Sequence, residues 1–168
     1  MTSDESILWE KVKSFRIDDP LSEFTFTDRL ARENDWDTSF STRVVMEYKR
    51  FMFLICVAKH PLTPSDEVDQ AWHLHLLYTE SYWKDFCEKT LGRSIQHGPT
   101  KGGKVEGEKF HDWYEGTKNV YKQKFGKQPP KDIWPSSEIR FSNIHFTRVN
   151  RHTHWVLPKL KWFNTWKH

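Results

Sequence analysis

Apolar residues recur at helical spacing along most of this 168-residue chain. Ser3, followed by acids in the first turn, predicts a helix start; Ile7, Leu8, Val12 and Phe15 then face one way. Asp18-Asp19-Pro20 ends that helix, because proline disfavours helix in the residue before it. A second helix is predicted over 26–34, with Phe26, Leu30 and Ala31 inward. The third, over about 41–59, carries the stripe Val44, Val45, Tyr48, Phe51, Met52 and Ile55. Its second half, 51–58, is apolar all round, the pattern of a helix buried on every side.

The fourth helix has the clearest start. Thr63 is the predicted N-cap, Pro64 the first helical residue and Asp66 the partner closing a capping box. The pattern then continues to about Leu91, where Gly92 is a natural stop. Val68, Trp72, His75, Tyr82 and Phe86 form its apolar stripe; beside it runs a second stripe of Asp69, His73, Leu76 and Glu80. A fifth helix is predicted over 106–125, with Phe110, Trp113, Tyr114, Thr117, Tyr121 and Phe125 inward. After Pro129-Pro130 the pattern loosens, and 141–156 suits two short strands or an irregular wrap. The expected fold is mostly α: a compact bundle of about five helices over 1–135, with a short irregular or β-like basic segment over 136–168.

Composition supports a folded chain. Hydrophobic residues are 36%, yet aromatics reach 15%, with nine Trp and twelve Phe. Each aromatic can bury roughly 150–250 Å², so a modest number builds a core. The longest apolar run, eight residues from Phe51, falls far short of the ~20 that a membrane span needs, and the N-terminus lacks a secretory pattern. Cys56 and Cys87 sit among apolar neighbours, without the spacing of a zinc ribbon or a disulfide framework. Reduced thiols in a cytoplasmic protein are therefore expected. The net charge of +3 hides an asymmetry. From residue 139 onward Arg140, Arg148, Arg151, Lys159, Lys161 and Lys167 face no Asp or Glu, whereas the rest of the chain is mildly acidic.

Chemistry has one natural place to sit. Asp69 and His73 are four apart, so both project from one face of a helix. His97, brought back by the turn at Gly92, supplies a third ligand, and two His with one carboxylate is a set used by non-haem iron and by catalytic zinc. Glu80, further along the same stripe, is a candidate fourth ligand or catalytic base. His75 points roughly 160° away from His73 on a regular helix, so the two cannot share an ion, and His75 reads as a core or supporting histidine. An ordinary hydrogen-bonded Asp–His pair explains the same spacing without any metal.

At these residues the sequence resembles a known family. Val68-Asp69-Gln70-Ala71-Trp72-His73-Leu74-His75, then Tyr82, Leu91-Gly92-Arg93 and His97, is similar to the glycine-rich-domain-containing-protein-like family. Pro64-Ser65 precedes the motif as it does there, and Phe110, Tyr114, Thr117 and Tyr121 fit a later stretch. The resemblance covers roughly residues 40 to 135. It implies a shared site at Asp69, Trp72, His73 and His97, with no established activity attached. The glycine-rich tail and Cys-rich segment of the plant members are absent here.

Other motifs carry less. The loop around Gly98-Pro99-Thr100-Lys101-Gly102-Gly103 lacks the order of a phosphate-binding loop and follows a helix rather than a strand. No Gly-x-Ser-x-Gly elbow is present. Two functions remain in view. The first is a divalent-metal site, zinc favoured, held by Asp69, His73 and His97 with Trp72, His75 and Tyr82 in support. The second is an interaction module whose tail (Arg148, Arg151, Lys159, Lys161, Trp162, Trp166) meets nucleic acid or an acidic protein. A plainer expectation for the tail is that its Trp residues cover the helical body while the basic groups stay solvated.

Overall fold

The computed structural model describes residues 1–98, 104–142, 149–150 and 152–157. Within them the chain is helical and contains no strand, and no helix is long and apolar enough to cross a membrane. The first helix, α1, runs Ser3–Ser14 and is capped by Thr2 rather than Ser3, through a capping box with Glu5. The second, α2, spans Phe26–Asn34 behind a Thr25/Asp28 capping box. The third, α3, runs Thr38–Val57, with the Asp37 side chain accepting from the Phe40 amide.

Helix α3 is the axis of the bundle: α1, α2 and two later helices, α4 (Asp66–Leu77) and α5 (Lys104–Phe125), all pack on it. Val44, Tyr48, Phe51, Met52, Phe53 and Leu54 are buried, as the all-apolar stretch predicts, although Ile55 to Ala58 are only half-buried. Two charged residues are buried in the same helix. Lys49 Nζ donates to the carbonyls of Phe15 (2.5 Å) and Lys13 (3.2 Å), satisfying the open C-terminal end of α1. Glu47 accepts from Tyr121 Oη (3.2 Å), Trp134 Nε1 (3.0 Å) and Arg50. One carboxylate thus ties α3 to α5 and to the chain beyond it.

The predicted fourth helix is two elements. Helix α4 spans Asp66–Leu77 and is capped by Ser65, whose hydroxyl accepts from the Val68 amide. Thr63 is committed elsewhere: its amide donates to Thr117 Oγ1 and its carbonyl accepts from the same hydroxyl, both at 3.0 Å. At Tyr78 the backbone leaves helical geometry (φ −88°, ψ 64°), and Ser81–Leu91 then forms a π-helix. Gly92, at φ +69°, ends that helix in the left-handed conformation that glycine adopts without strain.

Helix α5 follows over Lys104–Phe125 and a short α6 over Ser137–Arg140. Tyr114, Thr117 and Tyr121 are buried, while Phe110, Trp113 and Phe125 are half-buried. The chain packs back beyond residue 135. Tyr114 Oη donates to the Pro135 carbonyl (2.9 Å), and Arg140 bonds the Pro64 carbonyl (3.0 Å) and pairs with Asp66. The predicted wrap over 141–156 falls partly outside the described residues, as do Arg148, Arg151, Lys159, Lys161, Trp162 and Trp166. Trp155 is described and is 95% exposed, so this Trp does not cover the body.

Candidate metal centre

Helix α4 carries Asp69 and His73 one turn apart, so their side chains leave the same face. The segment after Gly92 returns along that face: Ile95 is buried in the core, and His97 lies over the Asp69–His73 pair. Each carboxylate oxygen of Asp69 faces one imidazole. Asp69 Oδ1 is 2.8 Å from His97 Nε2, and Oδ2 is 3.7 Å from His73 Nε2. The imidazole rings lie 4.6 Å apart, and one ligand atom from each of the three residues falls within 4.8 Å of the others.

With one ligand atom from each residue within 4.8 Å of the others, the cluster could hold a cation. The side chains of Asp69 and His97 are mostly buried, at 20% and 19% exposure, whereas His73 is 51% exposed. The cluster therefore opens to solvent on one side.

Trp72 and Tyr82 stand behind the cluster. The Trp72 ring meets His97 edge-on at 4.3 Å, and its Nε1 donates to Tyr82 Oη (2.8 Å). Tyr82 Oη in turn donates to the Ile95 carbonyl (2.7 Å). Burial holds the Tyr82 hydroxyl well above the ordinary range, so it is a neutral donor. Had α4 continued straight, Trp72 and Tyr82 would stand about 15 Å apart along the axis; the break at Tyr78 brings them together.

His75 faces the opposite way, into the core. It is fully buried, hydrogen-bonded to Tyr48 Oη (2.8 Å) and Ser81 Oγ (3.1 Å), and surrounded by the rings of Phe15, Phe26, Tyr82 and Phe86. Desolvation, with Lys49 adding to it, lowers its pKa to about 3, so the imidazole is neutral. Glu80 lies past the break, exposed and paired with Lys84 at 3.2 Å, and is not among the converging ligand atoms. Its place on the Asp69–His73 stripe assumed a continuous helix.

Sequence reasoning passed over one unusual carboxyl. Glu67, in the first turn of α4, has a buried Oε2 without a hydrogen-bond partner. Desolvation raises its pKa to about 7; its own backbone amide and Arg140 oppose the rise, while Asp66 and Asp132 add to it. In sequence it reads as one more acid at a helix start.

The molecule is thus an all-α domain with an Asp–His–His cluster on its fourth helix. It belongs to the UCP032817-like family, whose model matches residues 16–127. Glycine-rich domain-containing protein 2 of Arabidopsis thaliana is 28% identical over 108 residues, covering 61% of this chain and 14% of the relative. Glycine-rich domain-containing protein 1 of the same plant is 27% identical over 106 residues, 60% of this chain and 13% of the relative. The chain therefore spans only a small part of the curated relatives it matches. No solved structure matches it.

Proposed function

We propose that this domain binds a divalent cation, zinc in preference, through Asp69, His73 and His97. The observation that carries the reading is the convergence of three ligand atoms of the right chemistry within 4.8 Å. The cluster mixes one hard oxygen with two imidazole nitrogens, a donor set that suits zinc and also iron(II). Imidazole binds a cation through an unprotonated nitrogen, so a cation at this site takes the place of the hydrogen bond between His97 Nε2 and Asp69 Oδ1. Three protein ligands leave positions for water on the exposed His73 side, where a bound ion would lower the pKa of that water. The two free thiols fit a reducing, cytoplasmic setting.

Elemental analysis of the purified protein, beside His73→Ala and His97→Ala, tests the reading. One equivalent of metal in the parent, lost in both variants, is the expected result. Absence of metal in the parent, with no uptake on zinc titration, overturns it.

The exposure of Trp155 (95%) and Leu157 (80%) favours a second role for the C-terminal segment. In this reading Arg148, Arg151, Lys159, Lys161, Trp162 and Trp166 bind an acidic partner. Single-stranded nucleic acid is the probe; binding should weaken steeply with salt and disappear when the four basic residues become Gln. Equal binding by parent and variant would sink this role.

A further inference from the structure

We infer that Tyr82 is a positioning residue whose hydroxyl fixes His97 against Asp69. The inference rests on the cation-binding reading only for its consequence in affinity. His97 lies on a segment outside regular secondary structure, five residues past the turn at Gly92. Such a segment would hold an imidazole loosely unless its backbone were anchored.

The anchor is two residues away, at Ile95. The Ile95 carbonyl accepts the Tyr82 hydroxyl (2.7 Å), and its side chain is buried. Tyr82 belongs to the π-helix, so the loop is pinned to that element. The same Tyr82 oxygen accepts Trp72 Nε1 (2.8 Å), which ties that anchor to α4, the helix bearing Asp69 and His73. Trp72 completes the path by packing its ring against His97, the ring centroids 4.3 Å apart.

One hydroxyl thereby fixes the distance between the two halves of the cluster. Tyr82→Phe keeps the ring and the core volume but leaves the Trp72 Nε1–H and the Ile95 carbonyl without their shared partner. Groups that orient metal ligands typically change metal affinity about 10- to 100-fold when removed. A loss in that range is expected here for cobalt(II) and zinc(II), measured well below the unfolding temperature of the variant. A tyrosine that only stabilises the core would lower the unfolding temperature and leave affinity unchanged.

A second readout needs no cation. The ring nitrogen shifts of His97, measured by NMR on the metal-free protein, report its hydrogen bond to Asp69. In Tyr82→Phe they should move toward those of a free imidazole, while the shifts of His75 stay in place. If the parent binds cobalt(II) and the variant binds it equally well, the positioning role fails and the cation site stands. If the parent binds no cation, the cation reading fails and the His97 shifts alone decide the role of Tyr82. Unchanged His97 shifts in that case overturn it.

Discussion

Tyr48 and His75 meet at 2.8 Å in the centre of the bundle, joining α3 to α4 through a hydroxyl and an imidazole that water does not reach. The second ring nitrogen of His75 reaches Ser81 at the start of the π-helix, so both nitrogens are engaged. A neutral histidine suits this arrangement, because one nitrogen donates and the other accepts.

That neutrality gives stability a defined pH dependence. The native pKa near 3 lies below the ordinary 6.5, so between these values the unfolded chain binds a proton that the native state does not. This contribution is fully present above pH 6.5 and is lost progressively as pH falls toward 3, at up to roughly 1.4 kcal/mol per pH unit. Urea unfolding from pH 7 to pH 4 measures it. His75→Gln should be less stable at pH 7 and should lose less stability on acidification; equal slopes would refute the assignment.

Glu67 shifts in the opposite sense. Its native pKa of about 7 lies above the ordinary 4.5, so the native state holds a proton that the unfolded chain releases in that window. Stability from this group is complete below pH 4.5 and falls as pH rises through 7. Glu67→Gln removes the buried charge at little change in shape. It should stabilise the protein at pH 8 by on the order of 1–3 kcal/mol and have little effect at pH 4. Denaturation midpoints at the two pH values, with unchanged slopes, are the check; destabilisation at pH 8 would show that the carboxylate is needed there.

Much of this fold is legible in the sequence because it is written locally. Thr25 and Asp28 cap α2 through side chains three residues apart, and the stripe from Val44 to Met52 fixes which face of α3 is buried. The Asp69–His73 pairing follows from helical spacing alone. The break at Tyr78 is not legible, since no proline or glycine marks it; tertiary bonds such as His75 to Ser81 and Trp72 to Tyr82 accompany it. A continuous helix therefore placed Glu80 on the Asp69–His73 stripe, whereas it lies past the break, exposed and paired with Lys84. Ser65 replaced Thr63 as the cap for a similar reason: the backbone groups of Thr63 are bound to Thr117, 54 residues away in sequence.

Glu47 illustrates the same non-local dependence, and removing it should be costly. Its neighbours in sequence give no sign that it is buried, because its donors Tyr121 and Trp134 lie 74 and 87 residues further along. Its side chain is 3% exposed and paired with Arg50. Glu47→Ala strands an indole N–H and a phenol in the core and leaves the half-buried Arg50 guanidinium without this carboxylate, and breaking a buried pair by deleting one partner typically costs about 3–5 kcal/mol. Chemical denaturation followed by Trp fluorescence reads the change; a loss below about 1 kcal/mol would mean that water replaces the carboxylate.

Cation binding should itself stabilise the fold, because the ligands come from two elements that separate on unfolding. Asp69 and His73 lie on α4, whereas His97 lies beyond the π-helix, 28 residues from Asp69. A ligand that binds only the native state adds about 4 kcal/mol at a thousandfold excess over its dissociation constant. Zinc at such an excess should therefore raise the unfolding temperature of the parent by several degrees, and a chelator should reverse the rise. Asp69→Asn keeps the shape of the side chain and a hydrogen bond to His97 but removes the negative charge that offsets the ion. Its unfolding temperature in the absence of zinc should stay near that of the parent, and zinc should no longer raise it. An equal zinc-induced rise in the variant would place the bound ion somewhere other than this cluster.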